Sequence, residues 1–383
     1  MRAVALPSLL LLLSCSLPSS TLAQVSLDDF WAGKAHFEQV REITFGNSDR
    51  GGAAESSSWF TVRAGTWYAF NRVTVRPASP LCPSNHTRVV VRESRDKGRS
   101  WSPAVVAVEP GTSAHGDGCA VLDGSTFYSP NDGIWHMLTQ CLDHNNSGGW
   151  SLCHYTRAAE SPLGPFLADR SNPVVRGGEL WSRICSGRKA CPPTVIDEGT
   201  PDIVSRQGEL FIVAFHGFDR KTGRGYRGVA GTKDFRTWQI TGAGLPGDAT
   251  MGPAECARWL RDCIGVGEAD TISTAAFRYT IAEFMDRSLL CTRNQQWVFA
   301  LFRARLDGWP HSGGGGWTPF PGTPLLRRTW SDPTTPCALS YARWLTDGAD
   351  TYLVYEDWEP NHAYLHRRLL RLVPGGGIPV QLR

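Results

Sequence analysis

Short apolar runs of strand length recur along this chain, and stretches with a 3.6-residue period are almost absent. Trp67-Tyr68-Ala69-Phe70, Val89-Val90-Val91 and Leu210 to Phe215 are typical runs, punctuated by 40 Gly and 25 Pro. Such a chain is mainly β. The clearest helical fragment, Glu255 to Asp262, has the length of a single loop helix. The runs follow a repeated order: an acidic or Ser/Thr-rich entry, an apolar strand, a turn, an aromatic-rich strand, a third strand, and a polar turn before Trp or Phe. Five copies can be set down, with entries at Glu55, Asp117, Glu198, Asp270 and Asp332. Their spacing, roughly 60–80 residues, is longer than that of common propeller repeats and leaves room for inserted loops. The expectation is an all-β, five-bladed β-propeller, with residues 26–50 helping to close the ring. A β-sandwich is the competing architecture.

The first residues combine a charged start at Met1-Arg2, an apolar run from Leu9 to Leu13 and a small-residue site at Thr21-Leu22-Ala23. That is the layout of a secretory signal. It divides the chain into a leader, 1–23, an N-terminal segment, 24–52, and one propeller domain, 53–383. No later stretch reaches the ~18 apolar residues of a membrane span, so membrane insertion is not expected. Of 11 cysteines, Cys15 lies in the leader, and the others are even in number and can pair fully in an oxidising, extracellular compartment. Close spacing nominates Cys185 with Cys191, Cys256 with Cys263, and Cys141 with Cys153, and leaves the full connectivity open. The absence of paired CxxC motifs argues against structural zinc. Acceptor sequons at Asn85-His86-Thr87 and Asn145-Asn146-Ser147 fit surface loops of a glycoprotein.

A formal charge of +3 is too balanced to imply a nucleic-acid partner through bulk electrostatics. Arg far outnumbers Lys, and its planar fork suits carboxylates, so anionic ligands are compatible with the composition. In a propeller the innermost strand of each blade lines the central channel, which would bring Glu55, Asp117, Glu198, Asp202, Asp270 and Asp332 towards one axis. Crowded carboxyl groups raise one another's pKa, so that one stays an acid while another remains a base, as glycosidic-bond cleavage requires. His216, Arg287 and Trp358 are candidate substrate-binding side chains around that funnel. Glu283, Asp286 and Arg287 could overhang its mouth, although a solvated turn is the plainer assignment. His115, His136, His154, His216 and His362 do not fall at metal spacing.

Glu198-Gly199-Thr200-Pro201, followed by an apolar strand, Gly208 and the aromatic strand 211–215, resembles the Glu-Gly-Pro blade entry of glycoside hydrolase family 43 and its five-bladed relatives. Asp117 ahead of Leu122-Asp123-Gly124, and the phrases Ser161 to Phe166 and Asp234 to Trp238, are similar to other parts of that pattern. The resemblance implies Glu198 as general acid and Asp117 as the residue that orients and tunes it. Where the family's first blade supplies the base from an Asp-Pro entry, this chain has Glu55-Ser56-Ser57-Ser58, which makes Glu55 the base, with Asp332-Pro333 as the other candidate. The expected partner is a carbohydrate or glycoconjugate. No cofactor is called for, and a structural calcium would be compatible.

Two alternatives stand beside this one. The first is a propeller that binds glycans or protein without catalysis, since a fold does not specify function. The second is a sialidase-like hydrolase, because Ser94-Arg95-Asp96-Lys97-Gly98-Arg99-Ser100-Trp101 matches the sialidase Asp-box. That reading would need three of Arg63, Arg278, Arg287 and Arg343 around a substrate carboxylate, and Tyr355 beside Glu356. Adjacent strand residues point to opposite faces, which counts against the last pair.

Overall fold

The computed structural model describes residues 25–51, 54–76, 79–82, 86–111, 116–144, 149–187, 190–242, 244–286, 298–325 and 339–376. Helix α1 (Leu27–Trp31) opens with a capping box, Ser26 and Asp29 bonding each other's backbone N–H, and leads into strand β1 (Ala35–Ile43). Four-stranded antiparallel units then follow one another. The first is β2 (Ser56–Arg63), β3 (Thr66–Thr74), β4 (Thr87–Ser94) and β5 (Val105–Val108). The second is β6 (Ala120–Ser129), β7 (Ile134–Leu142), β8 (Ser151–Ala158) and β9 (Leu167–Ala168). Helix α2 (Glu179–Ile184) precedes the third: β10 (Val195–Gln207), β11 (Leu210–Asp219), β12 (Arg224–Thr232) and β13 (Trp238–Gln239). After a small hairpin of β14 (Thr241–Gly242) and β15 (Leu245–Pro246) comes the fourth, β16 (Cys263–Ser273), β17 (Phe277–Asp286), β18 (Val298–Arg305) and β19 (Thr318–Pro319). The last unit holds β20 (Leu339–Asp347), β21 (Asp350–Trp358) and β22 (Leu365–Pro374). Its fourth strand is β1, paired antiparallel with β22 from Ala35↔Pro374 to Ile43↔Arg367.

The turns follow from local chemistry. Ala64 and Gly65, both at positive φ (49° and 75°), make the two-residue link between β2 and β3, the geometry that matches the twist of a hairpin. Between β4 and β5, Asp96 accepts from the N–H groups of Arg99 and Ser100, and Gly98 bonds the Ser94 hydroxyl, with Trp101 beneath.

Aromatic side chains fill the wedges between successive units. Tyr68 meets Trp135 edge-on at 5.5 Å, Phe127 meets Phe211 at 5.6 Å, Phe299 meets Tyr355 at 6.3 Å, and Trp67 meets Tyr352 at 5.2 Å. At the seam of the second and third units, His154 stacks on Phe235 at 4.1 Å and on His136 at 5.3 Å.

The first strands are also tied to one another. Thr61 bonds the Thr126 carbonyl, Ile203 N–H donates to Ser125, Thr271 N–H to Asp202, and Trp344 N–H to Asp270. Glu356 accepts from the N–H groups of Ser57 and Ser58, joining the last unit to the first. Disulfides link Cys141–Cys153, Cys185–Cys191 and Cys256–Cys263, as spacing predicts, and Cys82–Cys119 in addition. Cys291 and Cys337 lie outside the described residues, as do both sequons' asparagines and His115. Cys82, Cys119 and His144 bring donor atoms together, but the disulfide occupies both sulfurs. Among the described residues no helix is long and apolar enough to cross a membrane.

Candidate active site

Each unit's first strand carries a β-bulge at a corresponding place, between Ser56 and Trp59, Leu122 and Gly124, Gly199 and Asp202, Val266 and Ala269, and Ser340 and Arg343. A bulge re-aims the side chain it carries. Ser57, Asp123, Thr200 and Tyr341 sit in these bulges at positive φ, between 35° and 54°, and Glu268 occupies the bulge of the fourth unit. Gly124 makes the second bulge possible, because a Cβ there would lie 2.2 Å from the Leu138 carbonyl oxygen.

Asp123, Thr200, Glu268 and Tyr341 line a cavity of about 370 Å³, together with Gln140, Trp150, Asp197, His216, Phe218, Glu283 and Met285. Tyr341 ties its two nearest carboxyl groups together: its N–H donates to Glu283 Oε1 at 2.6 Å and its hydroxyl to Asp123 Oδ2 at 3.1 Å. Gln140 donates to the same Asp123 oxygen at 2.9 Å, and Arg72 stands 3.6 Å from it. Glu268 pairs with Arg343, and its N–H donates to Glu283 Oε2 at 3.3 Å.

Burial and the local surplus of carboxyl groups set the acidities. Glu283 is pushed up to about 7, chiefly by burial, against the pull of two backbone N–H donors and Arg343, with Asp123 adding repulsion. Glu268 is raised well above the usual range by burial, which outweighs Arg343, and by the charges of Glu283 and Asp123. Burial and then the Asp123 charge raise the Tyr341 phenol, so it stays a donor. Burial and Arg227 lower His216 to about 3, leaving it uncharged at neutral pH.

The three carboxyl groups nominated as catalytic lie elsewhere. Glu55 accepts from Nη2 and Nε along one edge of the Arg92 guanidinium, at 2.6 and 2.9 Å. Asp117 is fully buried and accepts from the Tyr155 hydroxyl at 2.8 Å. Glu198 is fully buried beneath α2 and accepts the N–H groups of Gly178, Leu180 (2.9 Å) and Trp181 (3.4 Å). None of the three lines the cavity: its carboxyl groups are Asp123 and Glu268 in two of the bulges, Asp197, next to Glu198 in β10, and Glu283 of β17. Asp202 and Asp270 accept backbone N–H groups between first strands and are likewise absent from the lining. His216 does line the cavity. Trp358 instead meets His362 edge-on at 5.1 Å. Asp332 and Arg287 fall outside the described residues.

Glu283, assigned to a solvated turn on sequence grounds, is 6% exposed and sits in the cavity wall. The arginines of the sialidase-like alternative disperse. Arg63 pairs with Glu160, Arg278 covers Trp309 and Arg343 pairs with Glu268. Tyr355 packs into a hydrophobic cluster while Glu356 bonds the first unit.

No family model matches the sequence, and no curated protein matches it. Solved structures do. A thermostable family-43 glycoside hydrolase is similar over 89% of this chain and 98% of its own, with 12% identity and a TM-score of 0.53. An α-L-arabinofuranosidase from Lactobacillus brevis is similar over 86% of this chain and 95% of its own, with 10% identity and a TM-score of 0.54. An endo-arabinase from Bacteroides thetaiotaomicron is similar over 90% and 98%, with 10% identity and a TM-score of 0.52. The fold of this chain is that of the propeller glycoside hydrolases.

Proposed function

We propose that this protein is an exported glycoside hydrolase, built as one closed five-bladed propeller in which β1 completes the last blade. The bonds running from each first strand to the next, and from Glu356 back to Ser57 and Ser58, support the closed ring. The fold likeness supports the reaction class, and the four disulfides fit an oxidising compartment.

One observation carries the reading: Glu283, with a pKa near neutrality, and Asp123 face one small cavity on either side of Tyr341. Glu283 is the general acid, giving its proton to the departing glycosidic oxygen. Asp123 is the second carboxyl group, taking a proton from water in an inverting reaction or attacking the anomeric carbon in a retaining one. Trp150 and Phe218 supply apolar faces for a sugar ring. Glu198, Asp117 and Glu55 pass from catalytic to structural roles.

A panel of chromogenic α- and β-glycosides and arabinosides tests this, with product anomers followed by NMR. Wild-type turnover, lost in Glu283→Gln and in Asp123→Asn but kept in Glu198→Gln, is the expected result. Turnover that survives Glu283→Gln would overturn the assignment. A non-catalytic glycan-binding propeller is the second reading, favoured by hydroxyl side chains, Ser57 and Thr200, at the bulges of the first and third units. Binding without turnover would select it.

A further inference from the structure

Trp150 borders the cavity from the loop that leads into β8, and its place there is set from the neighbouring unit. Its N–H donates to Asp197 Oδ1 at 2.8 Å, and its carbonyl accepts from the N–H of Glu198 at 2.9 Å, so both polar groups of its backbone are held by the start of β10. The local backbone is shaped to this clasp. Asp197 has φ 70°, a left-handed geometry that Asp and Asn adopt more readily than most side chains. Gly149 has φ 102°, and a Cβ there would lie 1.9 Å from Asp197 Oδ1, so the carboxyl oxygen fills the space that a side chain would take. The indole is backed as well: it packs against Cys82, Cys119, Ala120 and Leu122, the first two joined by a disulfide. Arg220 stands 3.9 Å from the same Asp197 oxygen, but more than half of its side chain is exposed, which makes that ion pair a weak competitor for it.

We infer that Asp197 is a positioning residue: it fixes Trp150 as a rigid platform for the C–H face of a sugar ring and takes no part in proton transfer. This rests on the carbohydrate reading of the cavity and deepens it. The partially positive C–H bonds on one side of a sugar ring suit the negative face of an indole. A platform already ordered by backbone bonds and apolar packing loses little freedom when the ring docks, so its contribution is felt as affinity. The oxygen that accepts the Trp150 N–H needs no charge to do so. Asparagine at position 197 keeps that acceptor and tolerates the backbone, whereas glycine tolerates the backbone and removes the acceptor.

The test compares Asp197→Asn, Asp197→Gly, Trp150→Ala and the double variant of the last two in the full chain. Values of kcat and KM are measured with nitrophenyl glycosides of xylose, galactose and arabinose, and Kd by calorimetry with the corresponding oligosaccharides. Trp150→Ala should raise KM and Kd about tenfold with kcat within about twofold of wild type, Asp197→Gly should raise them about three- to tenfold, and Asp197→Asn should leave them within about twofold. The double variant should be no weaker than Trp150→Ala, because a clasp without its platform has nothing to hold. A merely structural Asp197 would lower stability in Asp197→Gly and leave the KM and Kd of the folded molecules unchanged, which would overturn the inference. So would loss of kcat in Asp197→Asn, which would put the carboxyl group in the chemistry. Should Asp197→Gly not fold, the other two single variants still decide: unchanged affinity in Trp150→Ala, or lost kcat in Asp197→Asn, ends the claim. Turnover is scored apart from binding. A wild type that binds a sugar through Trp150 without hydrolysing it sinks the hydrolase reading and keeps this one, while hydrolysis with a KM indifferent to Trp150→Ala does the reverse.

Discussion

Glu198 and Glu283 make an instructive pair, one under α2 and one in the cavity wall. Burial is the leading cause of a raised pKa in both, to about 8 and about 7, and backbone N–H groups bond both carboxyl groups. Yet Glu198 is sealed against a helix N-terminus and is absent from the lining of the cavity of about 370 Å³ that Glu283 borders. A shifted acidity records removal from water. It becomes chemistry only where a substrate can reach the proton.

The largest expected effect breaks the pair at its functional end: Glu283→Gln should lower kcat about 10²- to 10⁴-fold per folded molecule, with a stability loss of about 1–3 kcal/mol because its amide nitrogen would face a backbone donor. The pH profile sharpens the same point. Because the acid works protonated and titrates at about 7, activity should fall as pH rises through 7.

Next comes Glu55→Ala, which leaves the buried Arg92 guanidinium unpaired; a loss of about 3–5 kcal/mol in urea unfolding is expected, with activity per folded molecule retained. The seam histidine extends the comparison to a base. His136 is lowered to about 4 by burial and then by His154, from an ordinary value of 6.5. The unfolded chain therefore binds the extra proton, and stability that is fully present above pH 6.5 should decline as pH falls towards 4. The decline should be at most about 3 kcal/mol, and His136→Gln should remove it from urea unfolding curves recorded across that range.

The smallest effect belongs to Glu198→Gln. Its amide nitrogen would face backbone donors, costing about 1–3 kcal/mol in thermal unfolding without touching turnover. A comparable loss of turnover in this variant would erase the contrast.

Much of the fold was legible in the sequence. Alternating aromatic runs between Gly-rich turns marked the strands, their repetition marked the units, and cysteines close in sequence marked three disulfides. The site was legible only in part. Entry carboxylates such as Glu55 and Asp117 caught attention because they open each repeat, but a bulge shifts the exposed face by a residue, and where it falls depends on pairing with the neighbouring strand. Asp123-Gly124 was the available signal, a glycine inside a strand pattern marking a bulge. Glu268, Tyr341 and Trp150 carried no such mark. Glu283, near the end of β17, looked like a turn residue because its burial comes from first strands distant in sequence.

The lacing of β1 onto β22 has a consequence for how the molecule is made. The outer edge of its final sheet is synthesised first and must wait, unpartnered, while more than three hundred residues emerge. Ala35 and Pro374 end as direct neighbours, so joining the chain there and opening it at the Ala64-Gly65 turn would test whether the order of synthesis matters to the finished ring.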